Sequence, residues 1–179
     1  MKKKLLVPVL CVLAGACTDG ATEAQSESPA AKVETTGKVE AALSEVPREV
    51  LAAAQAARPG FVPSEAQAET RDGRRYFDLG GRLPDGAEIE FDIMEEGGRW
   101  RVVETQRDLA FEAAPAAVRQ AAAAHDSKFV PGRVIESVQN DGVTIYELYG
   151  PGGGNPQGRK VEVKLADGKA EVLTKEWAH

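Results

Sequence analysis

The chain has 179 residues, 42% of them hydrophobic and 28% charged, and its 22 Lys and Arg against 28 Asp and Glu give a formal charge of −6. That balance excludes a nucleic-acid binder held by a basic surface and a peripheral protein that grips anionic lipid electrostatically. Its two cysteines, Cys11 and Cys17, are too few for a disulfide framework, so stability has to come from buried apolar surface.

At the N-terminus, Lys2, Lys3 and Lys4 precede the short apolar run "LLVPVLCVLAGA" from Leu5 to Ala16, and Cys17 follows Ala14-Gly15-Ala16. This is the layout of a secretory signal, and the run is too short to span a bilayer as a mature helix. Small residues before a cysteine resemble the lipobox of bacterial lipoproteins, although Ala14 stands where that family usually has leucine. The resemblance implies lipid on the Cys17 thiol and cleavage before it. An ordinary signal peptide cut after Ala16 is the plainer alternative. Cleavage leaves 19 basic against 28 acidic residues, a charge of −9, so membrane attachment is expected through the acyl chains alone. By analogy with lipoprotein sorting, the absence of aspartate at Thr18 points to the outer membrane, facing the periplasm.

The sequence divides into a signal peptide (1–16), a lipidated flexible tether (17–43), a first unit (44–109) and a second unit (110–179). The tether is rich in Ala, Glu, Ser and Thr and shows no sustained period. Its border is soft, because a helix could begin near Lys38.

The two units echo one another. Phe61-Val62-Pro63 returns as Phe129-Val130-Pro131 at an offset of 68, which also carries Pro47 onto Pro115 and Val50 onto Val118. Asp72-Gly73 and "FDLGG" fall on Asp141-Gly142 and "YELYG" at an offset of 69, and "IEFDI" from Ile89 falls on "VEVKL" from Val161 at 72. In each unit a proline opens an alanine-rich helix, Pro47 to Arg58 and Pro115 to His125, as suits a residue without an N–H. Alternating runs separated by Asp-Gly and Gly-rich turns then predict antiparallel hairpins. In "AEIEFDIM", Ile89, Phe91 and Ile93 take the inner face and Glu88, Glu90 and Asp92 the outer one. The expected fold is α+β: two tandem repeats, each one helix packed on a four-stranded antiparallel sheet with its other face polar. Two open sheets of this size would gain by pairing edge to edge and hiding those edges.

This order of proline-led helix, aromatic, "DG", aromatic-acidic-aliphatic triplet and glycine turn resembles the PepSY-like, β-lactamase-inhibitor-like domains of bacterial envelope proteins. The resemblance covers nearly all of Val46 to Trp177, as two copies. It implies a binding protein that grips its partner with the polar sheet face, and it brings no catalytic residues. The chain lacks the disulfides that the tandem inhibitor carries within its units, a departure that bears on β-lactamase as a target.

The residues themselves offer little chemistry. His125 sits at a predicted helix end, where a cation suits the dipole, and His179 is terminal. Ser127 near His125 and Asp126 is poor ground for a triad, which is defined by geometry. "GPGGGNPQGRK" runs into a strand-like segment instead of a helix, so it reads as a hairpin connection, not a phosphate loop. Glu88, Glu90 and Asp92, with Glu95-Glu96, read as a solvated face: alternation spaces the first three by ~6–7 Å, too wide for one metal shell. No metal or cofactor is expected. Tyr76 with Asp78, and Ile145 with Glu147, are expected to point outward; Trp100 lies beside Tyr76 or in the core, depending on register, and Trp177 caps the second core. The candidate protein-binding residues are therefore Tyr76, Asp78, Glu88, Glu90, Asp92, Trp100, Ile145 and Glu147. They fit a non-enzymatic envelope lipoprotein that binds a periplasmic protein or peptide, with inhibition of a hydrolase as the sharpest form. The alternatives are a structural or assembly role in the envelope and, behind it, sensing of a metal or small ligand.

Overall fold

The computed structural model describes residues 36–151 and 159–177. Cys17, the signal segment and most of the tether lie outside the described residues, as does the middle of "GPGGGNPQGRK". Short alternating runs become strands and the alanine-rich runs become helices. Strand β1 (Val39–Glu40) and a 3-10 turn precede helix α1 (Arg48–Ala57), followed by β2 (Val62–Arg71), β3 (Arg74–Arg82), β4 (Glu88–Glu96) and β5 (Arg99–Leu109). A second 3-10 turn leads to α2 (Ala116–His125), β6 (Arg133–Gln139), β7 (Thr144–Tyr149), β8 (Lys160–Ala166) and β9 (Lys169–Val172).

All nine strands belong to one antiparallel sheet, in the order β1 to β9. This corrects the expected fold: the protein is not two repeats of a helix on its own four-stranded sheet. It is mostly β, a single sheet with two short helices. The join is β5 on β6, from Glu104 opposite Gln139 to Leu109 opposite Val134. Two separate sheets would each have left there a row of unpaired backbone N–H and C=O groups, and pairing satisfies both rows. The end of the tether also differs from expectation, since Val39 and Glu40 pair with Ala68 and Gln67 instead of starting a helix.

Sequence-local chemistry sets the elements. Pro47 and Pro115 occupy the N-cap positions, and each helix closes on an i→i−4 bond, Arg58 to Ala54 and Asp126 to Ala122. The β2–β3 turn has positive φ at both Asp72 (49°) and Gly73 (74°). That is the requirement of a two-residue type I′ turn, whose twist matches the flanking strands.

Both helices lie on the same sheet face. Val50 and Ala54 of α1 are buried with Leu79, Phe91 and Ile93, while Val118 and Ala122 of α2 are buried with Val134, Tyr146, Leu148 and Val163. Phe91 lies opposite Thr105, Thr105 opposite Val138, and Leu109 opposite Val134, so the two clusters share a side. They do not merge. Between them Arg107 Nε donates to Glu136 Oε2 at 2.6 Å, and Tyr146 Oη donates to Glu136 Oε1 at 2.9 Å. The sheet is continuous across this seam while its apolar core is divided.

Phe61 seals the first core. It is 1% exposed and meets Phe91 edge-on, with centroids 4.9 Å apart. Phe129, expected in an equivalent place, is only half-buried, with the Arg159 guanidinium 5.0 Å from its ring. Gly81 lets β3 pass close to Phe61: a Cβ there would overlap the Val62 carbonyl oxygen and stand 2.7 Å from the Phe61 ring. Gly81→Ala is therefore expected to destabilise the fold by about 1–3 kcal/mol, the usual range for overpacking, read from the urea midpoint.

Candidate functional site

The face of the sheet away from the helices carries a row of acidic residues, and its register explains how they meet. Gln67 lies opposite Asp78, Asp78 opposite Asp92, Asp92 opposite Glu104, and Glu104 opposite Gln139. Three carboxylates thus stand side by side on adjacent strands, at the ~4.5–5.5 Å spacing where like charges repel. A bulge builds this row. Ile93 pairs with Val102 while Asp92 pairs with Glu104, so Val103 is the extra residue of β5. Without it Val103 would face Asp92 and Glu104 would turn towards the helices. Instead Val103 packs with Tyr76 and Met94 in a small cluster beside the row.

The row is buried: Asp78 is 5% exposed, and Asp92 and Glu104 are similar. Lys38, from the segment leading into β1, brings its ammonium 2.5 Å from Asp78 Oδ2 and 4.0 Å from Glu90 Oε1. Burial alone would depress the Lys38 pKa, but the charge and hydrogen bond of Asp78, with Asp92 and Glu90, outweigh it and raise it. At the other end, Glu104 accepts from Ser137 Oγ and, at 2.5 Å, from Gln106 Nε2. Gln139 Nε2 donates to Ser137 Oγ at 2.7 Å. Ser137 is 2% exposed and its oxygen is engaged as donor and acceptor, so it presents no nucleophile.

Burial pushes Asp92 well above the usual carboxylate range, with the charges of Asp78 and Glu104 adding to it and Lys38 opposing. Glu90 is raised too, first by burial, against the pull of Lys38 and with the push of Asp78, Glu65 and Glu104. A carboxyl whose folded pKa is raised holds a proton that the unfolded chain, titrating near ~4, has already released. Its contribution to stability therefore falls as pH rises from about 4 through the raised value, and is regained on acidification. Asp92→Asn should flatten this slope and leave the protein more stable at neutral pH, checked by denaturant melts across pH. A slope unchanged in Asp92→Asn would place the proton elsewhere.

A second lysine-centred group lies further along the same face. Lys160 Nζ is 2.7 Å from Glu162 Oε1, 2.9 Å from Glu176 Oε1 and 3.8 Å from Glu147 Oε1. Tyr149 Oη donates to Glu147 Oε2 at 2.5 Å, and the Trp177 backbone N–H donates to Glu162 Oε2 at 2.7 Å. An open groove of about 410 Å³ runs over the ends of β2 to β6, lined by Ser64, Gly80, Arg82, Glu88, Glu90, Gln106, Asp108 and Arg133. Arg133 holds Asp108 through two nitrogens at 2.8 and 3.2 Å, and Arg82 pairs with Glu88.

The structure rearranges several sequence expectations. Tyr76 is on the helix-free face but only 2% exposed, with the Arg71 guanidinium 4.4 Å from its ring. Trp100 is not beside it: it packs against the first core on the helix side, edge-on to Phe77 at 5.5 Å. Ile145 is 2% exposed, not an outward contact residue, while Glu147 is half-buried and engaged by Tyr149 and Lys160. Trp177 lies on the helix-free side, with Lys164 Nζ 4.9 Å from its ring, and so does not cap the core beneath α2. Glu88 is exposed, as expected of a solvated face. Glu90 and Asp92 are not. Asp78 crosses from the neighbouring strand so that one oxygen from each of Asp78, Glu90 and Asp92 lies within 4.8 Å of the others. Spacing along one strand concealed this, because the third member comes from the partner strand. Lys38, Glu104, Ser137 and Gln106 were missed; a lysine just ahead of the first strand was the available signal for the first, the β5 bulge hid Glu104 and Gln106, and Ser137 joins them only through the pairing of β6 with β5.

No protein-family model matches the chain, and no curated protein is similar to it at a significant level.

Proposed function

We propose that this is a non-enzymatic bacterial envelope lipoprotein that binds a periplasmic protein or peptide on the helix-free face of its sheet, with inhibition of a hydrolase as the sharpest form. The observation that carries the reading is the groove of about 410 Å³ on that face, lined by ion-paired arginines and bordered by the buried carboxylate row. Helices cover the other face. Arginine and acidic groups lining a groove on a sheet suit protein recognition, where Arg is enriched. The likeness of the sequence pattern to PepSY-like inhibitors supports the same use of the polar face.

Charge reversal in the groove tests it. Detergent-extracted native protein is expected to carry one stoichiometric partner, lost in the Arg82→Glu, Asp108→Lys double variant and kept in Gln120→Glu on α2. Diffuse envelope contacts insensitive to the groove would favour an assembly role. Among the described residues no helix is long and apolar enough to cross a membrane. Cys17→Ser is accordingly expected to move the protein wholly from washed membranes to the soluble fraction, and pelleting of the variant would overturn lipid anchoring.

A further inference from the structure

Thr36 to Ala41 lie along β2 as a thin strap. β1 adds only Val39 and Glu40 to the ladder. Its supports are on the surface: Thr36 N–H to Thr70 O and Ala41 N–H to Ala66 O, both 2.9 Å, the Thr70 N–H to Thr36 Oγ1 at 3.0 Å, and Gln67 Nε2 to Glu40 Oε1 at 2.6 Å. Such exposed bonds hold a segment weakly, because water replaces them readily. Lys38 is the group that reaches inward, and it remains 44% exposed.

The slot it enters is built by other strands. Asp78 is nine-tenths buried, and among the described residues its Oδ2 meets no hydrogen-bond donor of β2 to β6; the ammonium from the strap serves it. The three carboxylate oxygens lie within 4.8 Å of one another. The slot already holds an ammonium, that of Lys38, 2.5 Å from Asp78 Oδ2 and 4.0 Å from Glu90 Oε1, and a lysine side chain is the cation its carboxylates meet in this structure.

We propose that the Asp78–Glu90–Asp92 slot is a receptor for a lysine side chain of the bound partner, which replaces Lys38 while a partner strand takes the place of β1 on the edge of β2. The strap then acts as an intramolecular stand-in that keeps the slot filled until displaced. Strand addition supplies backbone hydrogen bonds, and the slot supplies selectivity for the basic side chain. The acidic balance of the chain favours a basic partner. The inference rests on the free-face reading above and names the chemistry of its partner.

Lys38→Ala in the full chain, titrated with propylammonium chloride and followed by the amide resonances of Asp78, Glu90 and Asp92, tests the slot. Saturable shifts are expected in the variant, with a midpoint at least about tenfold lower than in the native chain, where Lys38 competes. Sodium chloride at equal ionic strength should give none. Absence of saturation by propylammonium in folded Lys38→Ala, or saturation by calcium chloride in its place, overturns the proposal. A second arm uses the native chain, so it stands even where the variant does not fold. A peptide of sequence TGKVEA should speed exchange of the Ala41 amide, and the same peptide with norleucine for lysine should not. Equal effects of the two peptides, or none, overturn the lysine slot. Partner loss in the groove variant would meanwhile keep the free-face reading intact, so the two can fail separately.

Discussion

Phe61→Ala is expected to cost ~3–5 kcal/mol, the range for truncating a fully buried phenylalanine, and to unfold the half of the sheet beneath α1 first. Phe61 is 1% exposed, its ring rests edge-on against Phe91, and Gln55 Nε2 donates to its backbone carbonyl, tying the Phe61 backbone to α1. The cavity would open among Val50 of α1 and Leu79 and Phe91 of the sheet, whose backbones are fixed by the helix and by the strand ladder. Because the apolar clusters are separated by Arg107 and Glu136, amide protection should fall in β2 to β4 and persist in α2 and β6 to β8. Loss of protection throughout would mean that the β5–β6 ladder alone couples the halves. Phe129→Ala should cost less, about 1–2 kcal/mol, because that ring is half-buried and loses less area on truncation.

The contrast between the two phenylalanines shows what the sequence could carry. Local signals held: prolines at 47 and 115 precede helices, Asp72-Gly73 makes a hairpin turn, and Ile89, Phe91 and Ile93 face the core. These depend on neighbours within a few residues. The fold class did not hold, because whether β5 ends a sheet or continues onto β6 is settled by pairing between residues such as Thr105 and Val138, which no local periodicity records. The same applies to the site. Alternation assigned Asp92 to the polar face, yet its burial follows from Asp78 on the next strand and from a bulge at Val103, which reverses the sense of alternation along β5. A polar pattern marks the side of a sheet, not its exposure.

Glu104→Ala is expected to cost ~2–4 kcal/mol although it removes one of three mutually repelling carboxylates. Two effects oppose. Relief of repulsion with Asp92 is favourable, and in a directly opposed cross-strand pair it is worth about 1 kcal/mol at most. Against it, the buried Ser137 Oγ loses its acceptor, the half-buried Gln106 Nε2 is left to the groove, and Gln139, which donates to Ser137, loses the partner that orients the hydroxyl. Each buried donor left unmade costs about 1–3 kcal/mol, so the loss outweighs the relief. Glu104→Gln separates the two contributions, since its amide oxygen still accepts while the charge is gone; it should fall close to the native stability at neutral pH. In both variants the pKa of Asp92 should drop, Glu104 being one of the charges that raise it, and the gain in stability on mild acidification should shrink. Carboxyl chemical shifts of Asp92 across pH, with urea melts of the two variants, read both quantities. Glu104→Ala as stable as Glu104→Gln would mean that the Ser137–Gln139 network finds other acceptors, and that the β5–β6 seam is held by its backbone ladder alone.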